Sequence, residues 1–404
     1  MSRLQLPTDD GGFKTYELKN AGRWEKPTAP LTSRFTYAAS HVVPEVTANN
    51  VPGAPAVLDW DATLGYRHEL WSYGLGVADA MDTAQRGMGL DWAATHELIR
   101  QSGKEAAAVV ASQAPATAGK SVRDLLACGA GTDHLDLDSL PSGKAGLDAV
   151  VDAYREQIEV VSTAGAKVIL MASRALAAVA EGPEDYQYVY GTLLAEADHP
   201  VILHWLGPMF DPALEGYWGS ADIDVATKSF RAVIEAHAGK VDGVKVSLLD
   251  AAHEVSLRAV LPSGVRLYTG DDFNYPELIH GDGEHYSDAL LGIFAAIYPA
   301  ASAALQEYDA GQPSRGREIF DTTRELGLHI FSAPTFYYKT GIAFLSWING
   351  KQPGFQMAGG LHSGRSIVHL GRTLELADAA GLIEDPELAA HRFNALLTTH
   401  GVVR

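Results

Sequence analysis

A lysine stands in the middle of an apolar run at residues 243–249, Gly-Val-Lys-Val-Ser-Leu-Leu. Such a run is typical of a short buried strand. A buried ammonium is costly unless it finds a partner or loses its proton, and a neutral lysine is a nucleophile towards carbonyl carbons. Lys245 is therefore either a residue that forms a Schiff base or a structural lysine that reaches water or closes an ion pair. This run alone leaves both interpretations open.

The elements that would position this lysine follow from the rest of the pattern. Helical patterns at 146–164, 184–197 and 222–238 alternate with short apolar runs, which lie at 55–60, 76–81, 125–129, 167–171, 200–204, 243–247, 265–269 and 285–291. Alternation of this kind predicts parallel strands with right-handed crossovers, and about eight units over roughly 250 residues favour a closed barrel. No glycine fingerprint of the dinucleotide type follows the first run, which disfavours an open doubly wound sheet.

We therefore predict an α/β fold of three parts. Residues 1–50 form an extended N-terminal arm, residues 51–310 form a (β/α)8 TIM barrel, and residues 311–404 form a helical C-terminal extension. The predicted helices of the extension lie at 314–326, 334–349, 366–380 and 386–399.

Composition narrows the class of protein. The chain of 404 residues has 31 Lys and Arg against 50 Asp and Glu, a formal charge of -19, which disfavours nucleic acid and anionic membranes as partners. No apolar stretch approaches the ~20 residues of a membrane span, and the N-terminus lacks the pattern of a signal peptide. The single cysteine, Cys128, excludes an internal disulfide framework. We expect a cytoplasmic enzyme that acts on a small molecule.

In a barrel, catalytic groups lie where strands end. This rule selects Asp82, Thr83 and Arg86 after the second run, His204 at the end of the fifth, and Asp271 and Asp272 after the seventh. Structural alternatives exist for each, since a histidine closing an apolar strand is commonly a packed core residue and the sequence Thr-Gly-Asp-Asp at 269–272 also suits a helix cap. Their convergence on one end of the barrel is what indicates an active site.

The order of these motifs resembles the dihydrodipicolinate synthase and N-acetylneuraminate lyase superfamily, of which this chain would be a divergent branch. The strand Gly243-Val-Lys is similar to the family's Gly-Ile-Lys, whose lysine forms the Schiff base, and residues 269–272 are similar to its Ser/Thr-Gly-Asp-Asp/Glu strand. Residues 200–208 look like its Pro-Ile-Ile-Leu-Tyr-Asn-Val-Pro segment, and residues 126–131 look like its Ile-Ala-Gly-Thr-Gly segment. The resemblance covers residues 55–310 and implies a TIM barrel, imine chemistry and a homo-oligomer.

Two departures from the family pattern bear on the substrate. The family's Gly-Thr-Thr-Gly-Glu loop, which binds a 2-oxo acid carboxylate, is replaced by Asp82-Thr-Ala-Gln-Arg86, a lining better suited to a polyol or neutral keto-sugar. His204 takes the place of the proton-relaying tyrosine, and an imidazole can act as a general acid or base.

We thus predict a Schiff-base lyase that cleaves or dehydrates a small keto compound, either a sugar-derived ketone of carbohydrate metabolism or a 2-oxo acid. Lys245 and His204 would be catalytic, Asp82, Thr83, Arg86, Asp271 and Asp272 would bind substrate, and neither a cofactor nor a metal would be needed. The alternative is a metal-dependent sugar isomerase or hydrolase, with ligands drawn from Asp79, Asp82, Asp133, His134, His204, Asp271, Glu284 and His285. A degenerate barrel that senses small molecules is a third possibility.

Overall fold

The computed structural model describes residues 3–19, 22 and 24–402. Its strands are β1 Arg3–Pro7, β2 Phe13–Glu17, β3 Thr36–Ala39, β4 Gly76–Asp79, β5 Leu126–Ala130, β6 Lys167–Leu170, β7 Val201–Leu206, β8 Val241–Ser247, β9 Arg266–Thr269 and β10 Asp288–Leu291. Its α-helices are α1 Trp60–Ser72, α2 Trp92–Ser112, α3 Val122–Leu125, α4 Gly143–Thr163, α5 Arg174–Val179, α6 Pro183–Glu196, α7 Ile223–Ala236, α8 Ala251–Arg258, α9 Tyr275–His280, α10 Ile293–Asp309, α11 Pro313–Ile330, α12 Tyr338–Ile348, α13 Ile367–Ala379 and α14 Pro386–Thr399.

Strands β3 to β10 form a closed parallel barrel. Each strand pairs with the next along the chain, and β10 returns to pair with β3, where Ala289, Leu290 and Leu291 lie opposite Thr36, Tyr37 and Ala38. Helices separate successive strands, so each parallel pair is joined by a crossover. The predicted (β/α)8 fold is confirmed.

The first barrel strand lies within the segment that we predicted as an extended arm. That strand is β3, and the run at 55–60 is not a strand: it makes one isolated bridge, Leu58 with Pro44, and leads into α1. The boundary predicted at residue 51 is thus too late. The sequence of β3, Thr-Tyr-Ala-Ala, is short and weakly apolar, yet it suits the barrel because Tyr37 fills the interior while Ala38 packs under the helices.

Side chains close the barrel at the N-terminal ends of its strands. Lys167 Nζ lies 3.0 Å from Asp242 Oδ1, and Tyr268 donates a hydrogen bond of 2.7 Å to Asp242 Oδ2. Above them a layer of apolar side chains, including Ile169, Ile202 and Leu290, fills the interior. The interior is thus filled towards the N-terminal ends of the strands, and in other barrels the site lies at the C-terminal ends.

The C-terminal extension consists of helices, as predicted, and the N-terminal hairpin β1–β2 packs against it. Lys14 Nζ lies 2.7 Å from Glu375 Oε2, and Tyr16 donates a 2.7 Å hydrogen bond to Asp378 Oδ2, both on α13. Within the described residues, no helix is both long and apolar enough to cross a membrane.

Candidate active site

Lys245 lies inside the barrel, near the C-terminal end of β8. Its side chain is almost fully buried, with the residue 6% exposed. Among the described residues, none forms a hydrogen bond or a salt bridge with its Nζ. Burial lowers the pKa of Lys245 from its ordinary value of 10.5, and the carboxylates of Asp82 and Asp272 oppose that shift without cancelling it. The neutral, nucleophilic amine is therefore easier to form here than on a lysine exposed to water.

The motif Thr269-Gly-Asp-Asp makes room for this lysine. A Cβ on Gly270 would lie 3.1 Å from Lys245 Cε and 2.7 Å from the Val246 carbonyl oxygen, and it would overlap Ser247 Oγ. Glycine is thus required by the close approach of β8 and β9. Thr269 Oγ1 donates a 3.0 Å hydrogen bond to Glu254 Oε2, which fixes the end of β9 against α8.

His204 is the neighbour of Lys245 across the sheet, because the two residues are Cα partners in the β7–β8 register. It is fully buried, and its Nε2 lies 3.3 Å from Ser247 Oγ, whereas its Nδ1 has no hydrogen-bond partner among the described residues. Burial, with a further contribution from Lys245, lowers the pKa of His204 well below its usual range. The imidazole is therefore neutral at physiological pH.

The two aspartates after β9 differ in their environments. Asp271 caps the following turn, since its Oδ1 accepts 2.9 Å hydrogen bonds from the amides of Phe273 and Asn274. Asp272 is 4% exposed and accepts a 2.7 Å hydrogen bond from the Ile293 amide at the start of α10. Burial raises the pKa of Asp272 to about 8, against the opposing effects of that amide and of Lys245. Of the two, only Asp272 affects the pKa of Lys245. The structure therefore distinguishes Asp271, which caps a turn, from Asp272, whose carboxyl lies near Lys245.

The loop after β4 carries three of the five residues predicted to bind substrate. The Asp82 carboxylate accepts no hydrogen bond from any described residue, whereas Thr83 Oγ1 lies 2.7 Å from Tyr338 Oη. Arg86 is bound to the Asp133 carboxylate, to Gln157 Oε1 and to the Gly129 carbonyl. The Asp82 carboxylate is thus available to accept a hydrogen bond from a ligand, whereas the guanidinium of Arg86 is used to fix the loop in place.

A pocket of about 280 Å³ opens beside this loop, at the ends of β4 to β7. It is lined by Asp82, Arg86, Gly87, Gly131, Thr132, Asp133, Leu135, Leu137, Met171, Ala172, Ser173, Arg174, Ala175, Leu206 and Asp211. Its volume is near the small end of the ~300–1,000 Å³ typical of ligand pockets. Neither Lys245 nor His204 lines this pocket. Asp82 connects the two regions, because it lines the pocket and its charge also affects the pKa of Lys245.

The C-terminal extension docks onto the same loop. Besides the contact between Thr83 and Tyr338, the side chain of Gln85 exchanges two hydrogen bonds with the backbone of Ala358, at 2.8 and 3.1 Å. Lys339, 3% exposed, donates to the Phe336 carbonyl oxygen at 3.0 Å and to Met88 Sδ at 3.3 Å. The extension is therefore part of the wall around the barrel mouth.

The ligands of the metal-dependent alternative do not come together. Among residues 3–19, 22 and 24–402, no three His, Cys, Asp or Glu side chains are grouped so as to hold a metal ion. Glu284 and His285 precede β10 and lie at the N-terminal end of the barrel, opposite to Lys245. Asp79 is committed to a buried ion pair with Arg67, in which Nη2 and Oδ1 lie 2.7 Å apart.

Comparison with known families and structures agrees with this architecture. A family model described as "Protein of unknown function (DUF993)" matches residues 4–402. The chain belongs to the DUF993 family. Comparison with curated proteins gives no match.

Solved structures of dihydrodipicolinate synthases share the fold of this DUF993 member. A monomeric dihydrodipicolinate synthase variant superposes with a TM-score of 0.58 at 15% identity, covering 88% of this chain and 100% of its own. The enzyme from Bacteroides thetaiotaomicron gives a TM-score of 0.57 at 13% identity, covering 84% of this chain and 98% of its own. The enzyme from Thermotoga maritima gives a TM-score of 0.55 at 15% identity, covering 87% of this chain and 100% of its own. The predicted resemblance to this superfamily is confirmed at the level of fold, and the low identity fits a divergent branch.

Residues 338 and 339 are the parts of this site that we did not predict. The sequence shows an aromatic stretch at 336–338 followed by a lysine at the start of a helix, a signal that indicates packing as readily as function. Only the docking of the extension onto the β4 loop brings Tyr338 and Lys339 to the barrel mouth.

Proposed function

We propose that this protein is a Schiff-base-forming lyase that acts on a small keto compound through Lys245. The observation that carries the proposal is a buried lysine with a lowered pKa at the C-terminal end of a barrel strand, without a salt bridge to any described residue. A structural lysine in such a position is expected to have a close carboxylate, as Lys167 has in Asp242 at the other end of the barrel.

The first chemical step is imine formation. The Lys245 nitrogen attacks the carbonyl carbon, and the carbonyl oxygen leaves as water. One of its two protons comes from the amine, and the other comes from an acid. Asp272 is suited to that acid role because its raised pKa keeps a proton on the carboxyl at neutral pH. Neutral His204 is the cross-strand neighbour of Lys245, and its Nδ1 has no hydrogen-bond partner among the described residues, so it is suited to moving protons between amine and oxygen.

The iminium then accepts the electron pair of a breaking bond. In aldol cleavage a base removes the proton of the β-hydroxyl, the C–C bond breaks, and an aldehyde leaves; in dehydration a proton is lost from the α-carbon and water leaves from the β-carbon. Asp82 is suited to accept the hydroxyl proton, since its carboxylate lines the pocket and has no hydrogen-bond partner among the described residues. Both routes start from the same imine.

Pocket chemistry supports a hydroxylated substrate. Arg86 and Arg174 line the pocket, but Arg86 is paired with Asp133 and Arg174 Nε lies 2.6 Å from Asp211 Oδ2. Thr132 and Ser173 add a pair of hydroxyls 2.6 Å apart. Since the cations are already paired and hydroxyls are present, we favour a sugar-derived ketone over a 2-oxo acid.

Borohydride trapping tests the proposal. The protein is incubated with 2-oxo acids and keto-sugars, reduced, and examined by intact and peptide mass spectrometry. We expect a stable adduct on the peptide that contains Lys245, absent from Lys245→Ala. Lys167 and Lys339 are internal controls, because they are also buried lysines with lowered pKa values. An adduct on either of them instead, or no adduct with any compound, would refute the assignment.

A further inference from the structure

Tyr338 stands where the C-terminal extension meets the two carboxylates that face Lys245. On one side its hydroxyl is 2.7 Å from Thr83 Oγ1, next in sequence to Asp82. On the other side its ring lies 3.0 Å, at Cε2, from where a Cβ on Gly292 would sit. The amide of the next residue, Ile293, is the one that donates to Asp272. These contacts place the end of the ring that carries the hydroxyl near both Asp82 and Asp272.

The same two carboxylates act on Lys245 and on Tyr338. Burial raises the pKa of the Tyr338 hydroxyl well above its usual value, and Asp82 and Asp272 raise it further. The phenol therefore keeps its proton at any physiological pH and can serve as a hydrogen-bond donor. Thr83 can donate to the phenol oxygen, which leaves the Tyr338 proton free for another acceptor.

Aromatic packing holds the ring in place. Phe331 stacks on Tyr338 with ring centroids 4.3 Å apart, and Phe210, after β7, meets it edge-on at 6.1 Å. Tyr338 is 4% exposed. A donor fixed in a site that excludes water needs no reorganisation during the reaction, and this makes its contribution to catalysis large.

We propose that Tyr338, supplied by the C-terminal extension of the same chain, is a catalytic residue that donates a hydrogen bond to the substrate oxygen while Lys245 adds to the carbonyl carbon. As the C–N bond forms, the C=O electron pair moves onto oxygen, and the Tyr338 hydroxyl stabilises that charge without giving up its proton. Two protons later convert this oxygen into water, one from the Lys245 amine and one from Asp272. The inference rests on the proposed function of Lys245.

The test compares two tyrosine variants in the trapping assay, with dihydroxyacetone and pyruvate as probes. Tyr338→Phe keeps the ring contacts and removes only the hydroxyl. Tyr275→Phe is the matched control, since Tyr275 is also fully buried and its Oη lies 2.6 Å from a threonine hydroxyl, that of Thr323. Both variants lose one Tyr–Thr hydrogen bond, so a purely structural effect should be equal in the two.

We expect Tyr338→Phe to slow the formation of the Lys245 adduct by roughly 100-fold, as expected for loss of an oxyanion donor. Its thermal midpoint should match that of Tyr275→Phe, whose trapping rate should be that of the wild type. Thr83→Val, which keeps the phenol but removes its partner, should also slow trapping.

Equal trapping rates in Tyr338→Phe and wild type would overturn the inference and leave Lys245 as the nucleophile. A similar loss of rate in Tyr275→Phe would also overturn it, because the effect would then be structural. No adduct in the wild type would overturn the proposed function and this inference with it.

Discussion

Lys339 provides a direct test of the electrostatics at the barrel mouth. Burial lowers its pKa from 10.5 to about 8, against the opposing effects of Asp82 and Asp211. At about 1.4 kcal/mol per pH unit, a protonated Lys339 costs the folded protein roughly 3 kcal/mol at neutral pH. Lys339→Met removes that cost but also the hydrogen bonds to Phe336 and Met88, worth about 1 kcal/mol together. We expect the variant to be about 2 kcal/mol more stable than wild type at pH 7.

The gain must disappear at high pH. The folded protein releases the Lys339 proton at a lower pH than the unfolded chain does, so wild-type stability rises between about pH 8 and pH 10.5 relative to the variant. Above that range the wild type carries no penalty, and the variant should be slightly the less stable of the two. Urea denaturation followed by tryptophan fluorescence at pH 7 and pH 10.5 measures both differences.

Lys351→Met is the control of opposite sign. Lys351 lies 3.0 Å from Glu69 Oε1 and 2.8 Å from Glu384 Oε2, and its pKa is raised. Its stabilising contribution is present below the unfolded pKa and is lost as the pH rises through the folded pKa. This variant should therefore be about 1 kcal/mol less stable at pH 7, with a difference that shrinks at high pH. If Lys339→Met were destabilised at pH 7, or if its difference from wild type did not change with pH, the reasoning would be refuted.

Two further predictions concern the frame of the site. Gly270→Ala places a Cβ against Lys245 and the Val246 carbonyl, so we expect the variant to lose about 1–3 kcal/mol of stability and to be trapped more slowly at Lys245. Gly65→Ala, at a helix position with open space, is its control in thermal melts and in the trapping assay. If Gly270→Ala had the stability and trapping rate of the wild type, the packing argument would be contradicted. Arg67→Met leaves the Asp79 carboxylate buried without its cation, so urea denaturation should show a loss of about 3–5 kcal/mol in the free energy of unfolding. A loss as small as that expected for an exposed ion pair would show that the Arg67–Asp79 pair is unimportant for stability.

Local pattern was enough to predict the parallel barrel, because seven of its eight strands coincide with apolar runs in the sequence. The pattern did not predict β3, because Thr-Tyr-Ala-Ala is short and weakly apolar. Tyr37 becomes an interior residue only when the barrel closes around it. The predicted substrate-binding role of Arg86 stays a prediction. The sequence could not show that its guanidinium is already bound to Asp133 and Gln157, because those residues come from other barrel units.

Lys245 could be singled out from the sequence because a cation within an apolar run is a local anomaly. Tyr338 and Lys339 were not, since a tyrosine or lysine at a helix start is ordinary and becomes significant only through contacts more than 250 residues away in sequence. Asp271 and Asp272 looked alike in sequence and differ only in what surrounds them. Homo-oligomer formation stays a prediction.

The hairpin at the start of the chain has a consequence for synthesis. Lys14 and Tyr16 leave the ribosome long before their partners on α13, which are 361 and 362 residues further along. At about 5–20 residues per second, the hairpin waits roughly 20–70 s for the surface on which it docks. The extension that carries Tyr338 and Lys339 also emerges after the last barrel strand, β10. A nascent chain can therefore close its barrel well before the mouth is complete, and Lys245 stays without its full surroundings until the extension has emerged.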